Sequence, residues 1–275
     1  MENRNRNIWI IVVVVVILLC CLLAALAAGI AAWLGLFTLR SVDSGVLQPG
    51  FEFDQIIEHQ EMSFEVGDAP ALLIDNFAGN VRIRAGGEGL ISADVSRRAG
   101  RSANLRNISI EPSQEGDTVR IVTRRTSAAM SNVAVNLEIT VPAGTRIEVT
   151  NGAGDVTIDD VRGEIVVHTG AGDVEVRGSQ GQVRLDTGAG NIDYAGEPDG
   201  ASTFNTGAGN IEISLPAGFA ARVDLDTGIG SVELGGFDVD GSVSPGSARG
   251  TIGGGGGDVT IEARTGAGDI DLVQR

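Results

Sequence analysis

Thr169-Gly-Ala-Gly-Asp-Val-Glu-Val-Arg-Gly-Ser-Gln-Gly-Gln-Val-Arg-Leu-Asp186 is an eighteen-residue unit that begins again at Thr187 with Thr-Gly-Ala-Gly-Asn. Variants start at Asn151, Thr206, Thr227, the glycine run near Gly254 and Thr265, and a degenerate copy, Asn76-Phe-Ala-Gly-Asn80, lies far upstream. A fixed period of this kind marks a stacked repeat. Inside the unit, Val174 and Val176, then Val183 and Leu185, are each separated by one polar residue, the period of strands with one buried face. Gly178, Ser179 and Gly181 lie between the pairs and Thr-Gly-Ala-Gly follows the second. Both are turn chemistry, because glycine enters positive-φ conformations without steric cost. Each unit is strand, turn, strand, turn, too small to bury its own apolar face.

Stacking at this period places Val156, Val174, Ile192 and Ile211 in one column, continued by Val232, Val259 and Ile270. A second holds Ile158, Val176, Tyr194, Ile213, Leu234, Ile261 and Leu272, and a third Val149, Val167, Leu185, Phe204 and Leu225. These columns are the expected core. The small residue of each Gly-Ala-Gly (Ala153, Ala171, Ala189, Ala208, Ala267) is the expected inner corner. With strands about 4.8 Å apart, six or seven coils make a rod on the order of 30 Å long. The expected fold is all-β, a β-solenoid (β-helix) of about 18-residue coils with parallel ladders, preceded by one transmembrane helix. An antiparallel meander folded as a sandwich also gives alternating strands, but it gains nothing from matching every second turn.

The 275 residues are 43% hydrophobic, room for one sizeable domain and a membrane segment. Forty glycines and a single tyrosine point to turns and tight packing rather than an aromatic binding surface. A net charge of −16 argues against nucleic acid as a partner, since phosphate binding is driven by clustered positive charge. Cys20 and Cys21, both in the apolar N-terminal run, are the only cysteines, so the rest of the chain has no disulfide to indicate a redox compartment.

In chain order, residues 1–7 carry Arg4 and Arg6 and are read as a cytoplasmic N-terminus. Residues 8–39 hold no charge, and Trp9 and Trp33 stand near the ends of the run. Roughly 20 apolar residues cross a bilayer, and indoles favour its interfaces, so the run reads as a transmembrane signal anchor with the repeat domain outside the cell. A cleaved signal peptide is the competing reading, but its apolar stretch is only about 7 to 15 residues. Residues 40–70, broken by Gly45, Pro49 and Gly50 yet carrying Phe51, Phe53, Ile56, Ile57 and Phe64, read as a tether and capping segment. Residues 71–275 are the repeat domain, interrupted by an insertion from Gly235 to Gly250. Arg97, Arg98, Arg101, Arg106, Arg120, Arg124 and Arg125 cluster in an otherwise acidic domain. They are read either as a solvated face paired with nearby acids or as a patch for an anionic envelope polymer or lipid headgroups.

The position after each Gly-x-Gly holds Asp155, Asp173, Asn191, Asn210, Ser231, Asp258 and Asp269. Hard cations take oxygen ligands from such turns, but Asn and Ser alternate freely with Asp here, and a side chain hydrogen-bonding its own turn accounts for all three. Phosphate loops need a helix after the glycines, and every copy is followed by strand residues. His168 stacks beside Asp186 and Thr150, the raw material of acid–base chemistry, though the column Thr150, His168, Asp186, Asn205, Asp226 reads equally as an outward ladder. Among the acids, the adjacent Asp159 and Asp160 and the same-face Asp224 and Asp226 are the pairs to test for glycoside chemistry, and nothing singles out either. No catalytic, cofactor-binding or metal-binding residue is assigned.

The repeated Thr-Gly-Ala-Gly-Asp/Asn turns, together with Val141-Pro-Ala-Gly144, Leu215-Pro-Ala-Gly218 and the tail Gly253 to Leu272, resemble the bacterial putative-adhesin family of β-strand-repeat proteins, a domain of unknown function. The resemblance covers roughly residues 71–275. It implies a right-handed β-solenoid-like fold on the cell surface, in some members a link to envelope-stress signalling, and no catalytic residues. The arginine cluster and the insertion at Gly235 to Gly250 are not part of the shared pattern. The expected function is a membrane-anchored surface module for binding or scaffolding, with an envelope polymer or protein as partner. The alternative is a carbohydrate-active β-helix enzyme.

Overall fold

The computed structural model describes residues 56–126, 132–254 and 258–275. The expected anchor at 8–39 and the first part of the tether lie outside them. Among the described residues no helix is long and apolar enough to cross a membrane. The chain runs through β1 (Ile56–Glu65), β2 (Ala71–Asn76), β3 (Val81–Ala85), β4 (Leu90–Ala99), the single helical turn α1 (Ser102–Leu105), β5 (Ile108–Glu115), β6 (Thr118–Arg125) and β7 (Val133–Val141). The repeat follows as β8 (Arg146–Asn151), β9 (Val156–Asp159), β10 (Ile165–Thr169), β11 (Val174–Gly181), β12 (Val183–Thr187), β13 (Ile192–Pro198), β14 (Ala201–Thr206) and β15 (Ile211–Leu215). It closes with β16 (Ala221–Thr227), β17 (Val232–Gly235), β18 (Asp240–Ser244), β19 (Ser247–Ile252), β20 (Thr260–Thr265) and β21 (Ile270–Gln274).

These strands form two sheets facing each other across one apolar core. The ten-stranded sheet runs β1-β4-β7-β3-β9-β11-β13-β15-β21-β17, and the eleven-stranded sheet runs β18-β19-β16-β20-β14-β12-β10-β8-β2-β6-β5. In the middle the chain alternates between sheets and pairs in parallel one repeat on. Val156, Val174 and Ile192 are register partners, as are Val149, Val167 and Leu185. All six are fully buried. The solenoid-like stacking read from the eighteen-residue period is therefore the architecture of the central coils.

The order of coils departs from the sequence at both ends. The β20–β21 coil is not last: β20 pairs with both β14 and β16, and β21 with both β15 and β17. The β2–β3 coil is likewise flanked by β6–β7 on one side and β8–β9 on the other. Two core assignments change accordingly. Val259 and Ile261 do not extend the columns of Val232 and Leu234, because β20 belongs to the eleven-stranded sheet, where Ile261 lies opposite Ser202 and Val223. Ala263 separates Phe204 from Leu225 in the third column. Antiparallel pairs finish three of the four sheet edges, while β17, paired in parallel with β21, is the fourth. β4 and β1 extend the ten-stranded sheet, β5 covers β6, and residues of the 235–250 insertion contribute to the β18–β19 hairpin on β16.

The turns also differ from expectation. The alanine of Gly-Ala-Gly points to solvent in all five coils, and the residue before the first glycine fills the inner corner. Asn76, Asn151, Thr169, Thr187, Thr206, Thr227 and Thr265 are all buried there. A buried hydroxyl needs a partner, and most of the threonines find it one coil away. Thr187 donates to the Gly172 carbonyl (3.1 Å), Thr206 to Gly190 (2.8 Å), Thr265 to Gly209 (2.9 Å) and Thr227 to Gly268 (2.7 Å). In the coil where the pattern reaches Asn151, the Gly154 carbonyl accepts from the Asn151 amide (2.8 Å), and the Thr169 hydroxyl has no partner among the described residues. The pair makes a test. Thr206→Val strands a buried carbonyl and is expected to cost about 1–2 kcal/mol, whereas Thr169→Val leaves stability unchanged or raises it, by chemical denaturation.

Candidate functional site

The residue after each Gly-x-Gly forms a ladder that runs the length of the rod. Each side-chain oxygen accepts from the backbone N–H of the equivalent residue in the next coil. Asn136 accepts from Asn80 (3.0 Å), Asn80 from Asp155 (3.2 Å), Asp155 from Asp173 (3.1 Å), Asp173 from Asn191 (2.7 Å) and Asn191 from Asn210 (2.9 Å). Asn210 then accepts from Asp269 (2.9 Å), and Asp269 from Ser231 (2.7 Å). The requirement is an acceptor oxygen, which Asp and Asn both supply, and Ser231 stands at the end, where no further coil follows among the described residues. These side chains therefore tie neighbouring coils together rather than closing their own turns. Asp258 is not a rung, because the glycine run before it leads into β20 in the other sheet. No group of three His, Cys, Asp or Glu that could hold a metal occurs among the described residues.

The two outer faces differ in charge compensation. On the eleven-stranded sheet, Asp186 gathers His168 (3.1 Å), Arg184 (2.9 Å) and Asn205 (2.7 Å), and Arg249 pairs with Asp224 (2.7 Å). His168 lies between Thr150 and Asp186 as its spacing predicts. Arg264, not Asp226, follows Asn205 in that column. Asp224 is committed to Arg249, so Asp224 and Asp226 do not form a free carboxylate pair. Asp160, beside Asp159, has a left-handed backbone (φ 60°) and its side chain lies against Gly178.

The ten-stranded sheet carries an acidic row instead. Glu175, Asp193, Glu212, Asp271 and Glu233 are successive register partners on β11, β13, β15, β21 and β17, one strand spacing apart. Arg177 pairs with Glu175. A shallow hollow of about 270 Å³ opens in this row, lined by Glu175, Arg177, Asp193, Tyr194, Ala195, Glu212 and Ser214. Burial and the neighbouring Asp173 push the Asp193 carboxyl above its ordinary range against the opposing pull of Arg177. Burial and the charges of Glu233 and Asp269 do the same for Asp271. Sequence reading missed this row, although the polar residue between each pair of core positions on these strands carries its signal.

These shifts set opposite pH dependences. A raised carboxyl contributes stability below its unfolded pKa and loses it as pH rises through the folded value, so ionised Asp193 opposes folding at neutral pH. Asp269 is held below the ordinary range, first by the backbone N–H of Ser231 and then by its hydroxyl. Its contribution is present above the unfolded pKa and lost as pH falls through the folded one. Asp193→Asn is expected to raise the Tm at neutral pH but not at about pH 3, below the ordinary carboxylate range. Asp269→Asn keeps the acceptor oxygen and lessens acid sensitivity. Thermal melts across pH check both.

The arginine cluster lies toward the β1–β5 end. Arg97 pairs with Glu58 (3.1 Å) and Arg124 with Glu111 (3.4 Å), while Arg125 lies over the Phe77 ring, 5.5 Å from its centroid. Arg101, Arg106 and Arg120 are exposed. A separate hollow of about 570 Å³, lined among others by Glu61, Arg84, Asp94 and Glu138, opens on the ten-stranded sheet where β1 and β4 join it.

Residues 102–273 match the family described as Toastrack DUF4097. Among solved structures, the chain is similar to a putative cell adhesion protein from Clostridium sporogenes, with a TM-score of 0.50 at 14% identity over 79% of this chain and 100% of that one. It is also similar to a putative adhesin from Bacteroides fragilis, with a TM-score of 0.40 at 11% identity over 78% of this chain and 97% of that one. No curated protein matches the sequence. With the match covering well over half its length, the chain belongs to the Toastrack family, DUF4097.

Proposed function

We propose that this protein is a non-enzymatic, adhesin-like binding or scaffolding module at the cell surface, anchored through residues 8–39 with a cytoplasmic N-terminus and the repeat domain outside. The observation that carries the reading is the outer face of the ten-stranded sheet. It is a continuous surface whose acidic row runs from Glu175 to Glu233, and among the described residues Glu175 is the member of the row held in an ion pair, with Arg177. Asp193 and Asp271 are uncomfortable as anions there, so a cationic or amine-bearing envelope partner laid along the row would relieve them and be steered to it by the field. The structural relatives described as adhesion proteins are consistent with this use of the fold.

The test is retention of isolated envelope fractions by the protein. Binding is expected to fall with added salt, since exposed charges are screened beyond about 8 Å at physiological ionic strength. It is also expected to be lost when Glu175, Asp193, Glu212, Asp271 and Glu233 are replaced together by their amides, with folding checked by circular dichroism. Undiminished binding by that variant would place the interaction elsewhere.

A further inference from the structure

Among the described residues, the β20–β21 coil is the only ladder connection between the distal unit, β16 to β19, and the rest of the rod. β16 pairs with β19 and β20, and β17 pairs with β21; neither pairs with β14 or β15. The distal unit is thus joined to the rod covalently by residues 216–220 and through hydrogen bonds by a coil that comes from the end of the chain. That coil fills a slot with an open parallel edge on each wall of each sheet. In the slot, Ile261, Ala263, Ile270 and Leu272 are fully buried, and Asp269 and Thr265 complete the two turn ladders. Nothing in the slot is particular to one coil. Thr265-Gly-Ala-Gly-Asp-Ile-Asp-Leu272 repeats the pattern of Thr169-Gly-Ala-Gly-Asp-Val-Glu-Val176. The covalent tie between the coil and its own slot is residues 253–259, which begin with five consecutive glycines.

We propose that the slot between β14–β15 and β16–β17 accepts the β20–β21 coil of a second copy of this chain, so that two copies exchange C-terminal coils and close as a dimer. Every contact made within one copy is reproduced between two, because the same residues meet in the same register. The choice between closed monomer and exchanged dimer then rests on the local concentration of copies, not on new contacts.

The experiment uses the full chain with Cys20 and Cys21 replaced by serine. Glu212 and Asp271 are register partners on β15 and β21 and point outward. A double variant, Glu212→Cys with Asp271→Cys, closes a disulfide within one copy and shows that the slot is filled and the geometry permits the bond. Copies carrying Glu212→Cys and one tag are then unfolded together with copies carrying Asp271→Cys and another, refolded at high concentration and oxidised. The expected product is a disulfide-linked heterodimer bearing both tags, about tenfold above the homodimers that chance collision gives. Complete closure of the double variant with no heterodimer above the homodimer background would overturn the proposal.

Discussion

Gly190→Ala is expected to destabilise the protein by about 4 kcal/mol, the sum of one strained backbone position and one overpacked contact. Gly190 has φ 147°, which side chains rarely adopt, and a Cβ there would lie 2.1 Å from the Gly172 carbonyl oxygen of the neighbouring coil. The obstacle is backbone held in a ladder on both sides, since the Gly190 carbonyl itself accepts from Thr206. Relaxation would have to move a whole coil. Ala189, one residue away, points to solvent, so Ala189→Ser should stay within about 0.5 kcal/mol. Urea denaturation of the two variants separates a corner closed by backbone contact from one filled by the alanine. Equal losses would contradict the geometry.

Deleting residues 258–275 is expected to abolish cooperative folding of the distal end. Ile261, Ile270 and Leu272 are fully buried, and at about 1.5–3 kcal/mol each their removal costs roughly 5–9 kcal/mol, comparable with the whole stability of a typical domain. The deletion also leaves β14, β15, β16 and β17 with unpaired edges. Limited proteolysis should then cut between Pro216 and Ile252 more readily than in the full chain, while the coils from β8 to β13 resist. Protection of β16 to β19 in the truncated protein would show that the distal unit holds to the rod by some other means.

The period of the sequence discloses which residues share a column, because alternation and the glycine turns repeat together. It does not disclose which coil lies on which. Val223, Ile261 and Val183 are interchangeable as neighbours in a parallel ladder, so the hydrophobic pattern is satisfied by several coil orders. In the order observed, antiparallel partners lie at opposite ends, β4 on β7 and β19 on β16. The misplacement of Asp258 has a different source: five glycines before an aspartate imitate the turn, yet Thr265-Gly-Ala-Gly must follow β20, which fixes β20 as the strand before the turn.

The inner corner was misread from side-chain size alone. Alanine is small enough for a tight interior, but the recurrent Thr or Asn ahead of it carries the hydrogen-bond donor that the neighbouring Gly carbonyl needs. The same logic was visible in the mixture of Asp, Asn and Ser after the turn, whose shared property is a side-chain oxygen. What could not be seen in one unit is that this oxygen serves the next coil. The acidic row was equally present in the sequence, as Glu175, Asp193, Glu212, Asp271 and Glu233, but becomes a surface only once the last coil is placed between β15 and β17.

The β2–β3 and β20–β21 coils each lie one place inside the rod. Each of these coils is paired on both sides in both sheets, so neither offers an edge on which a new repeat could grow. Duplication within the uniform stretch from β8 to β15 lengthens the rod and moves the two slots apart without disturbing either. Length variation among natural relatives built this way should fall in the middle of the gene.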